Sequence, residues 1–342
     1  GGGGDSRGVG RPPPWGDPGA ATGGGGGGLT WNHGESYNTF TLPIGQMYHV
    51  WIDDQVPYWI YSNRQDDGTM RGPSDTPVDV ANVPSYSDPD ALVGFGVRRG
   101  AAAVGAAGAG RGGAGGGRGG TAAWQPNIGG CESGFTIPLP GNPDIIWATC
   151  YGNQVTRFDN NIGSARSVSP WKHLLDHEPI GLKYRCHWTP PLAFDPFEEE
   201  TVYYGCNVIF RTRDQGQSWE VISPDLSTQD PERIAWSGGI PGADPPRAIG
   251  DNLGQFYGEV VFAIAPSKLE RGLIWAGTND GLVWLTRDGG DHWARISDNA
   301  RGLKEWGTIR KIEPSAFDAG TAYVVVDYHL MNDFRPHLFK VT

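Results

Sequence analysis

The chain has 342 residues and a formal net charge of −11 at pH 7, which opposes binding to nucleic acid or to anionic membrane surfaces. Its 54 Gly and 27 Pro favour turns over long helices, while its 14 Trp, 12 Tyr and 12 Phe indicate an ordered, aromatic-rich protein. No stretch approaches the roughly 18 apolar residues of a transmembrane helix. The sequence therefore predicts neither a nucleic-acid partner nor a membrane span.

Composition divides the chain into four parts. Residues 1–30 are Gly-rich and are predicted to be disordered, because they contain too little apolar sequence to fold alone. Residues 31–97 are predicted to form the first unit of an ordered domain, and residues 124–342 are predicted to form the remaining units. A Gly/Ala/Arg tract of low complexity separates them at residues 98–123.

The low-complexity tract has two interpretations. An RNA-binding Arg-Gly segment is one of them, and its basic residues would be Arg98, Arg99, Arg111 and Arg118. A flexible surface insertion is favoured, because the tract has no interleaved aromatic residues and belongs to an acidic protein.

The two ends of the sequence indicate a mature form or a piece of a longer protein. The first residue is Gly, and the only methionines are Met47, Met70 and Met331. The last residues, "HLFKVT", stop in the middle of a strand-like pattern. We therefore expect the fold to be incomplete at the C-terminus, with its remaining units elsewhere in the same longer chain.

One module recurs five times along the ordered sequence. It contains a short strand, a turn with Pro or Asp/Gly, and an apolar strand with a central aromatic residue. The aligned aromatic residues are Tyr61, Trp147, Tyr203, Trp275 and Tyr323. Once the tract is discounted, their spacing approaches the roughly 40–50 residues of a propeller blade plus its loops. The repeat predicts an all-β propeller, a radial set of small antiparallel sheets.

One segment, "SPWKHLLDHE" at residues 169–178, has a helical pattern with Ser169 as N-cap. His173 and His177 are spaced for zinc binding and Glu178 follows them, but Leu174 stands where a metalloprotease motif needs Glu. A solvated loop is the favoured interpretation. The sequence predicts no metal site and no cofactor.

A turn of the form Thr-x-Asp-x-Gly-x-x-Trp occurs twice, in "RTRDQGQSW" (211–219) and "LTRDGGDHW" (285–293). In each, the Asp can accept backbone N–H bonds, the Gly can adopt a positive φ and the Trp can pack beneath. One Asp per turn provides too few oxygens for calcium. We therefore expect eight structural residues: Thr212, Asp214, Gly216, Trp219, Thr286, Asp288, Gly290 and Trp293.

This turn resembles the Asp-box of bacterial neuraminidase repeats, which also occurs in sialidases, sortilin-type receptors and tandem-propeller xyloglucanases. The chain is most similar to large secreted bacterial proteins labelled glycosyl hydrolases, through phrases such as "PYWIYSNRQDDG" and "VIFRTRDQGQSWEVISPDLS". The similarity covers roughly residues 38–96 and 124–342. It implies an Asp-box, sortilin-like propeller and a secreted or periplasmic location, but it is weak for activity. The chain departs from the pattern in its Gly-rich tracts and its cysteines.

Polar residues in the blade-top loops are the candidates for chemistry. Hydrolysis of a glycosidic bond needs two carboxylates, and the candidates are Asp66, Asp67, Glu132 and Asp251. The candidate ligand-binding residues are Tyr184, Arg185, Asn279 and Asp280. The alternative is that these Asp-Gly and Asn-Gly pairs form ordinary turns. A sialidase motif is missing, since Arg233-Ile234 is followed by Ala235.

Two function classes follow. The favoured one is a secreted binding or scaffolding propeller that recognises a glycan or protein ligand across the blade-top face. The alternative is a glycoside hydrolase that acts on polysaccharide through channel carboxylates. Binding is favoured because structure alone explains the repeated turns and because no acid/base pair is identifiable in the sequence.

The four cysteines occupy matched positions in neighbouring modules. Cys131 and Cys150 are 19 residues apart, and Cys186 and Cys206 are 20 apart. Adjacent antiparallel strands can hold each pair at bridging distance, which predicts two disulfides and suits an oxidising compartment. Four buried free thiols, or thiols gathered around a soft metal, stay open as alternatives.

Overall fold

The computed structural model describes residues 26–29, 38–41, 46–75, 124–171, 179–234 and 259–342. Their regular structure is almost entirely β, apart from a four-residue helix at Pro231–Ile234 and short 3₁₀ turns. No helix in these ranges has the length and apolar composition needed to cross a bilayer. The low-complexity tract, the His173/His177 motif with Glu178, and Asp251 lie outside the described residues.

The strands form one hairpin and five antiparallel sheets, which follow one another along the chain. The hairpin contains β1 (Gly26–Leu29) and β2 (Asn38–Thr41). Sheet 1 contains β3 (Met47–Ile52), β4 (Trp59–Arg64), β5 (Gly68–Pro73) and β6 (Gln125–Pro126). Sheet 2 contains β7 (Thr136–Leu139), β8 (Asn142–Cys150), β9 (Gln154–Asp159) and β10 (Ser164–Ser167).

The remaining three sheets continue the series. Sheet 3 contains β11 (Leu192–Phe194), β12 (Val202–Gly205), β13 (Ile209–Thr212) and β14 (Glu220–Val221). Sheet 4 contains β15 (Val261–Pro266), β16 (Ile274–Thr278), β17 (Val283–Thr286) and β18 (Ala294–Arg295). Sheet 5 contains β19 (Thr308–Pro314), β20 (Ala322–Tyr328) and β21 (Asp333–Val341). In every sheet the strands pair in chain order.

The repeated aromatic residue of the sequence occupies the second strand of each sheet and faces the sheet that follows. Tyr61, Trp147, Tyr203 and Trp275 are buried in this way in sheets 1 to 4. Burial of a large aromatic side chain is worth about 3–5 kcal/mol when measured by truncation to Ala. Tyr323, the fifth member, lies in sheet 5 and is 41% exposed.

The first strands of the sheets lie together at the centre. Strand β3 packs against β7, β11 against β15, and β15 against β19. His49 on β3 is also close enough to Arg310 and Lys311 on β19 for their charges to lower its pKa, which brings sheet 5 back towards sheet 1. Five antiparallel sheets therefore adopt a β-propeller arrangement, and the predicted all-β propeller fold is confirmed.

Because the strands of each sheet are antiparallel, their turns and connections lie at two opposite ends of the sheet, which we call the upper and the lower end. The upper end carries the turn between second and third strands and the connection to the next sheet. The lower end carries the turn between third and fourth strands, where both Thr-x-Asp turns lie. In sheet 1 the third and fourth strands are β5 and β6, which pair with each other although the low-complexity tract separates them in sequence.

Two disulfides lie at the upper end, and they join the cysteine pairs that the sequence pattern predicts. Cys131 is bonded to Cys150 with a Cα–Cα distance of 5.2 Å, and Cys186 is bonded to Cys206 at 4.0 Å. Each bridge ties the connection that enters a sheet to the end of that sheet's second strand. A loop of about 20 residues closed in this way is worth about 3 kcal/mol by loop entropy.

Candidate functional site

The repeated turns at the lower end satisfy their own polar groups. Oδ1 of Asp214 accepts the backbone N–H of Ser218 at 2.9 Å, and Oδ2 accepts the Ser218 hydroxyl at 2.5 Å. Oγ1 of Thr212 donates to the same carboxylate and accepts the N–H of Gly216. The hydrogen bonds from Ser218 lower the pKa of Asp214 to about 2. The carboxylate is therefore ionised and occupied within its own turn.

The second turn repeats this arrangement. Asp288 accepts the backbone N–H of His292 at 2.9 Å and lies 2.7 Å from its Nδ1. These contacts hold the pKa of Asp288 far below its usual range. Gly290 has a φ of +112°, and a Cβ there would lie 2.6 Å from the carbonyl oxygen of Ile222, so only Gly fits.

The Trp of each turn attaches its sheet to the preceding one. Nε1 of Trp219 donates to the carbonyl of Val168 at 2.7 Å, and Nε1 of Trp293 donates to the carbonyl of Ile222 at 2.7 Å. Val168 follows sheet 2 and Ile222 follows sheet 3. The contacts of both turns are therefore structural, although their membership of the Asp-box class stays a prediction.

A groove of about 350 Å³ lies beside the second turn. Two of its charged residues form an ion pair, in which Arg211 donates to Glu220 at 2.6 Å, and Arg211 also donates to the carbonyl of Gly289 at 2.8 Å. It is a seam between sheets 3 and 4 at the lower end, away from the residues that the sequence predicts to act on a ligand.

Two of the four candidate catalytic residues, Asp66 and Glu132, are in contact at the upper end. Oε2 of Glu132 accepts the backbone N–H of Asp66 at 2.9 Å, although the residues are 66 positions apart. Asp66 lies in the turn between β4 and β5, and Glu132 lies in the connection into sheet 2. Asp67 is instead paired with Arg64 at 2.8 Å.

Aromatic residues from three sheets lie beside these carboxylates. Tyr151 and Trp188 stack with ring centroids 4.2 Å apart and an interplanar angle of 8°. Nε1 of Trp188 donates to the hydroxyl of Tyr48 at 2.7 Å, and that hydroxyl donates to Oε1 of Gln65. We call this group the upper-end cluster, and its members are Tyr48, Gln65, Asp66, Glu132, Tyr151 and Trp188.

The upper-end cluster is acidic and partly open to solvent. Asp66 is exposed, and the other five side chains are half-buried. Burial raises the pKa of Tyr48 and of Tyr151, and the charge of Glu132 raises both further. Both phenols are therefore neutral at physiological pH.

The disulfides explain why these residues meet. Glu132 directly follows Cys131, and Tyr151 directly follows Cys150, so one bridge holds both beside each other. Trp188 comes two residues after Cys186, whose bridge fixes the connection into sheet 3. Because the bridges are formed before any ligand arrives, the cluster is preorganised.

The predicted ligand-binding residues have contacts within the protein. Arg185 is 5% exposed and is paired with Asp225 at 2.7 Å. Asn279 accepts the N–H of Val260 at 3.0 Å. These contacts hold the connection between sheets 3 and 4, so direct ligand binding by Arg185 or Asn279 stays a prediction.

The other two predicted ligand-binding residues, Asp280 and Tyr184, also have contacts within the protein. Asp280 is 1% exposed, and its Oδ2 accepts the N–H of Thr228 at 2.7 Å. Tyr184 is half-buried, with its ring edge-on to Phe210 and Trp171 at 4.8 and 5.1 Å. Contact of either residue with a ligand likewise stays a prediction.

Glu259 is a buried carboxyl residue with a raised pKa that the sequence analysis did not identify. It is 0% exposed, lies two residues before β15, and its two carboxylate oxygens accept the N–H of Asp230 at 2.9 and 3.2 Å. Burial first, and then the charge of Asp280, raise its pKa to about 7. A charged residue directly before the wholly apolar strand "VVFAIA" is the one signal that would have found it.

Two histidines near the centre were also missed. His49 stacks on Phe135 at 3.9 Å, and burial lowers its pKa to about 4, helped by Arg310. Burial lowers the pKa of His187 to about 3. Both rings are therefore uncharged at physiological pH. Within the described ranges, no three His, Cys, Asp or Glu residues gather as ligands for a metal ion.

Comparisons with known proteins show similarity in structure and none in sequence. No family model matches the chain, and no curated protein matches it. An ancestral GH74 enzyme is 14% identical with a TM-score of 0.44, over 86% of this chain and 31% of its own. The extracellular domain of a one-component system from B. thetaiotaomicron is 11% identical with a TM-score of 0.41, over 87% of this chain and 27% of its own.

A third solved structure is YCF48 bound to D1 peptide, which is 18% identical with a TM-score of 0.30, over 56% of this chain and 49% of its own. The chain thus spans less than half of the length of each of these structures. At such identities the likeness gives no activity, so function depends on the site itself.

Proposed function

We propose that the chain is part of a secreted or periplasmic β-propeller that binds a protein or glycan ligand across its upper end. The observation that carries the proposal is the half-buried Tyr151–Trp188 stack, which lies beside the carboxylates of Asp66 and Glu132. Aromatic faces supply contact area at low entropic cost, and a few fixed polar groups supply specificity.

The alternative function is glycoside hydrolysis, and the adjacency of Asp66 and Glu132 favours it. A general acid for this reaction needs a raised pKa and access to the glycosidic oxygen. Burial raises the pKa of Glu259, to about 7, and of Asp280, but these side chains are 0% and 1% exposed, so neither can reach a glycosidic oxygen. Binding therefore accounts for the upper end better than hydrolysis does.

A further sheet of the same longer protein is the second partner that we propose. Tyr323, Val325 and Leu338 are exposed on one face of sheet 5, and β20 pairs Val325 with Leu338. The equivalent faces of sheets 1 to 4 are each covered by the next sheet. A strand that is apolar on both faces is normally buried on both.

The binding proposal is tested with two probes, a cello-oligosaccharide and a lysine-containing peptide, by calorimetric titration. Tyr151→Ala should abolish saturable binding of whichever probe binds, because it removes half of the aromatic stack. Tyr323→Ala is the matched control, and its binding should equal that of the unmodified chain. The proposal fails if neither probe binds, or if new reducing ends appear in a manner that depends on Glu132.

A further inference from the structure

Two buried carboxyl groups lie close together at the upper end, beside the connection between sheets 3 and 4. The antiparallel ladder of β15 and β16 pairs Val261 with Thr278. Continued by two residues, the same register places Glu259 opposite Asp280. Residues at such positions have Cβ atoms about 5 Å apart, and two like charges there are destabilising. Burial raises the pKa of Glu259 and the charge of Asp280 raises it further, which agrees with this proximity.

Thr228, in the connection that leaves sheet 3, contacts both carboxyl groups. Its N–H donates to Oδ2 of Asp280 at 2.7 Å, and its side chain forms a hydrogen bond with Glu259. One threonine therefore spans the pair. The two carboxyl groups are close enough for a single ion to contact both.

One oxygen of this pair is buried without a partner. The side chains of Glu259 and Asp280 are 0% and 1% exposed. Among the described residues, none donates a hydrogen bond to Oδ1 of Asp280. A buried carboxylate oxygen is costly when neither a donor nor a cation faces it, so this atom indicates a ligand that the protein chain itself does not supply.

The pair also lacks a counter-ion within the described ranges, since the ion pairs found there include neither Glu259 nor Asp280. Arg185 lies close enough to interact with Glu259, but its Nη2 is paired with Asp225 at 2.7 Å. The charges of Arg185 and Asp225 offset each other. Two buried negative charges are therefore left for protons or a bound cation to compensate.

We propose that Glu259 and Asp280 bind one calcium ion, which holds the connection from sheet 3 against sheet 4. Calcium takes about six to eight oxygen ligands from carboxylates, hydroxyls, carbonyls and water. Oδ1 of Asp280 and the carboxylate of Glu259 supply the charged ligands. The hydroxyl groups of Thr228 and Thr278, which form hydrogen bonds with these carboxyl groups, are neutral oxygens beside them.

Other metal ions suit these residues less well. Magnesium demands a near-ideal octahedral geometry and gives up its water reluctantly, which opposes its entry into a buried site. Zinc prefers nitrogen and sulfur ligands. The calcium site is separate from the upper-end cluster, so this inference does not depend on the proposed binding function.

The test uses the whole chain, freed of metal by a chelator and titrated with calcium chloride by calorimetry at about pH 8, above the pKa of Glu259. Calcium should bind with a stoichiometry of one. At about a hundredfold excess over its Kd, it should raise the melting temperature by about 5 °C. Magnesium at the same concentration should have little effect.

Asp280→Asn is the first variant, because Asn removes the charge and keeps an oxygen that accepts the N–H of Thr228. It should lose the rise in melting temperature that calcium causes. Without metal it should melt at a higher temperature than the unmodified chain, because the repulsion with Glu259 is gone. These opposite signs separate the loss of a site from a failure to fold. Glu259→Gln is the second variant and should also lose the response to calcium.

Asp195→Asn is the matched control, since Asp195 is also buried and only 8% exposed. Both of its oxygens are occupied, because Oδ1 accepts the N–H of Phe197 at 2.8 Å and Oδ2 accepts the hydroxyl of Tyr203 at 2.7 Å. Its rise in melting temperature with calcium should equal that of the unmodified chain.

Three results overturn the inference: no effect of calcium, an equal effect of magnesium, or an unchanged response to calcium in Asp280→Asn. In the first case, a shared proton or a buried water compensates the pair instead. Loss of the response in Asp195→Asn as well would show that it does not arise at Glu259 and Asp280. The peptide and glycan titrations test the upper-end cluster separately, so either proposal can fail alone.

Discussion

The two ends of the sheets carry the same residue types and use them differently. At the lower end, the carboxylates of Asp214 and Asp288 are surrounded by donors from their own turns. At the upper end, Glu132 accepts the backbone N–H of Asp66 from a different sheet, and both lie near the Tyr151–Trp188 stack. A carboxylate thus stabilises its own turn at the lower end, whereas at the upper end it joins two sheets.

The largest effect on stability is expected at the lower end. Trp293→Ala should lower the free energy of unfolding by about 3–4 kcal/mol, because it removes a packed ring and its hydrogen bond to Ile222. Asp288→Ala should lower the melting temperature by less, since it removes the bonds within one turn. Urea denaturation checks both. Unchanged stability together with lost peptide binding would show that the lower end is the ligand site.

The disulfide beside the cluster should affect both stability and binding. Replacing Cys131 and Cys150 together by Ser should lower the free energy of unfolding by about 3 kcal/mol through loop entropy. It should also weaken lysine-peptide binding, because Glu132 and Tyr151 are then no longer held together. Full binding by a destabilised double variant would show that the bridge does not position the cluster.

Stability should depend on pH through Glu259. Its pKa is about 7 in the folded chain against an ordinary value of 4.5, so between these values the folded state binds more protons and stability falls as pH rises. From about pH 6 to 8, the unmodified chain should lose about 1 kcal/mol more than Glu259→Gln.

Below pH 6.5, the two central histidines change the pH dependence of stability in the opposite direction to Glu259. The pKa values of His49 and His187 are lowered, so the unfolded state binds more protons there and stability rises with pH. The unmodified chain and Glu259→Gln both contain these histidines. The difference between their stability profiles therefore measures the contribution of Glu259. If the stability of the two proteins changed with pH in the same way, the pKa of Glu259 would not be raised by folding, which would contradict this prediction.

The smallest effect is expected from the low-complexity tract. Deleting residues 98–120 should leave the circular dichroism spectrum and melting temperature nearly unchanged, since loop length costs little in free energy. In the sequence, the tract lies between β5 and β6. A collapsed fold in the deletion variant would show that it packs into the propeller.

The sequence predicted the fold because the fold repeats. Aromatic residues at matched positions identified the second strand of every sheet, and matched cysteines identified both bridged pairs. Tyr323 fits the pattern in position but is 41% exposed, because none of the described core clusters includes it. Local periodicity thus predicts the strands, while burial depends on what packs against them.

The upper-end cluster could be predicted only in part. Glu132 and Asp66 were candidates because they lie in polar loops, but the contact between Tyr48 and Trp188 joins residues 140 positions apart. No local pattern encodes such a contact. Arg185 and Asp280 lie in similar loops and are buried, because loop composition does not reveal which side chains the next sheet covers.

The most direct test compares Trp188→Ala with Trp293→Ala, two truncations of the same side chain at opposite ends. For each, the melting temperature and the affinity for the lysine peptide are measured together. Both variants should lower the melting temperature, because each removes a half-buried ring and a hydrogen bond of its indole N–H. Trp188→Ala should also weaken binding about tenfold or more, because it removes an aromatic anchor, whereas Trp293→Ala should leave affinity unchanged. Weaker binding by Trp293→Ala alone, or equal effects of both variants on binding, would contradict the division between a structural lower end and a binding upper end.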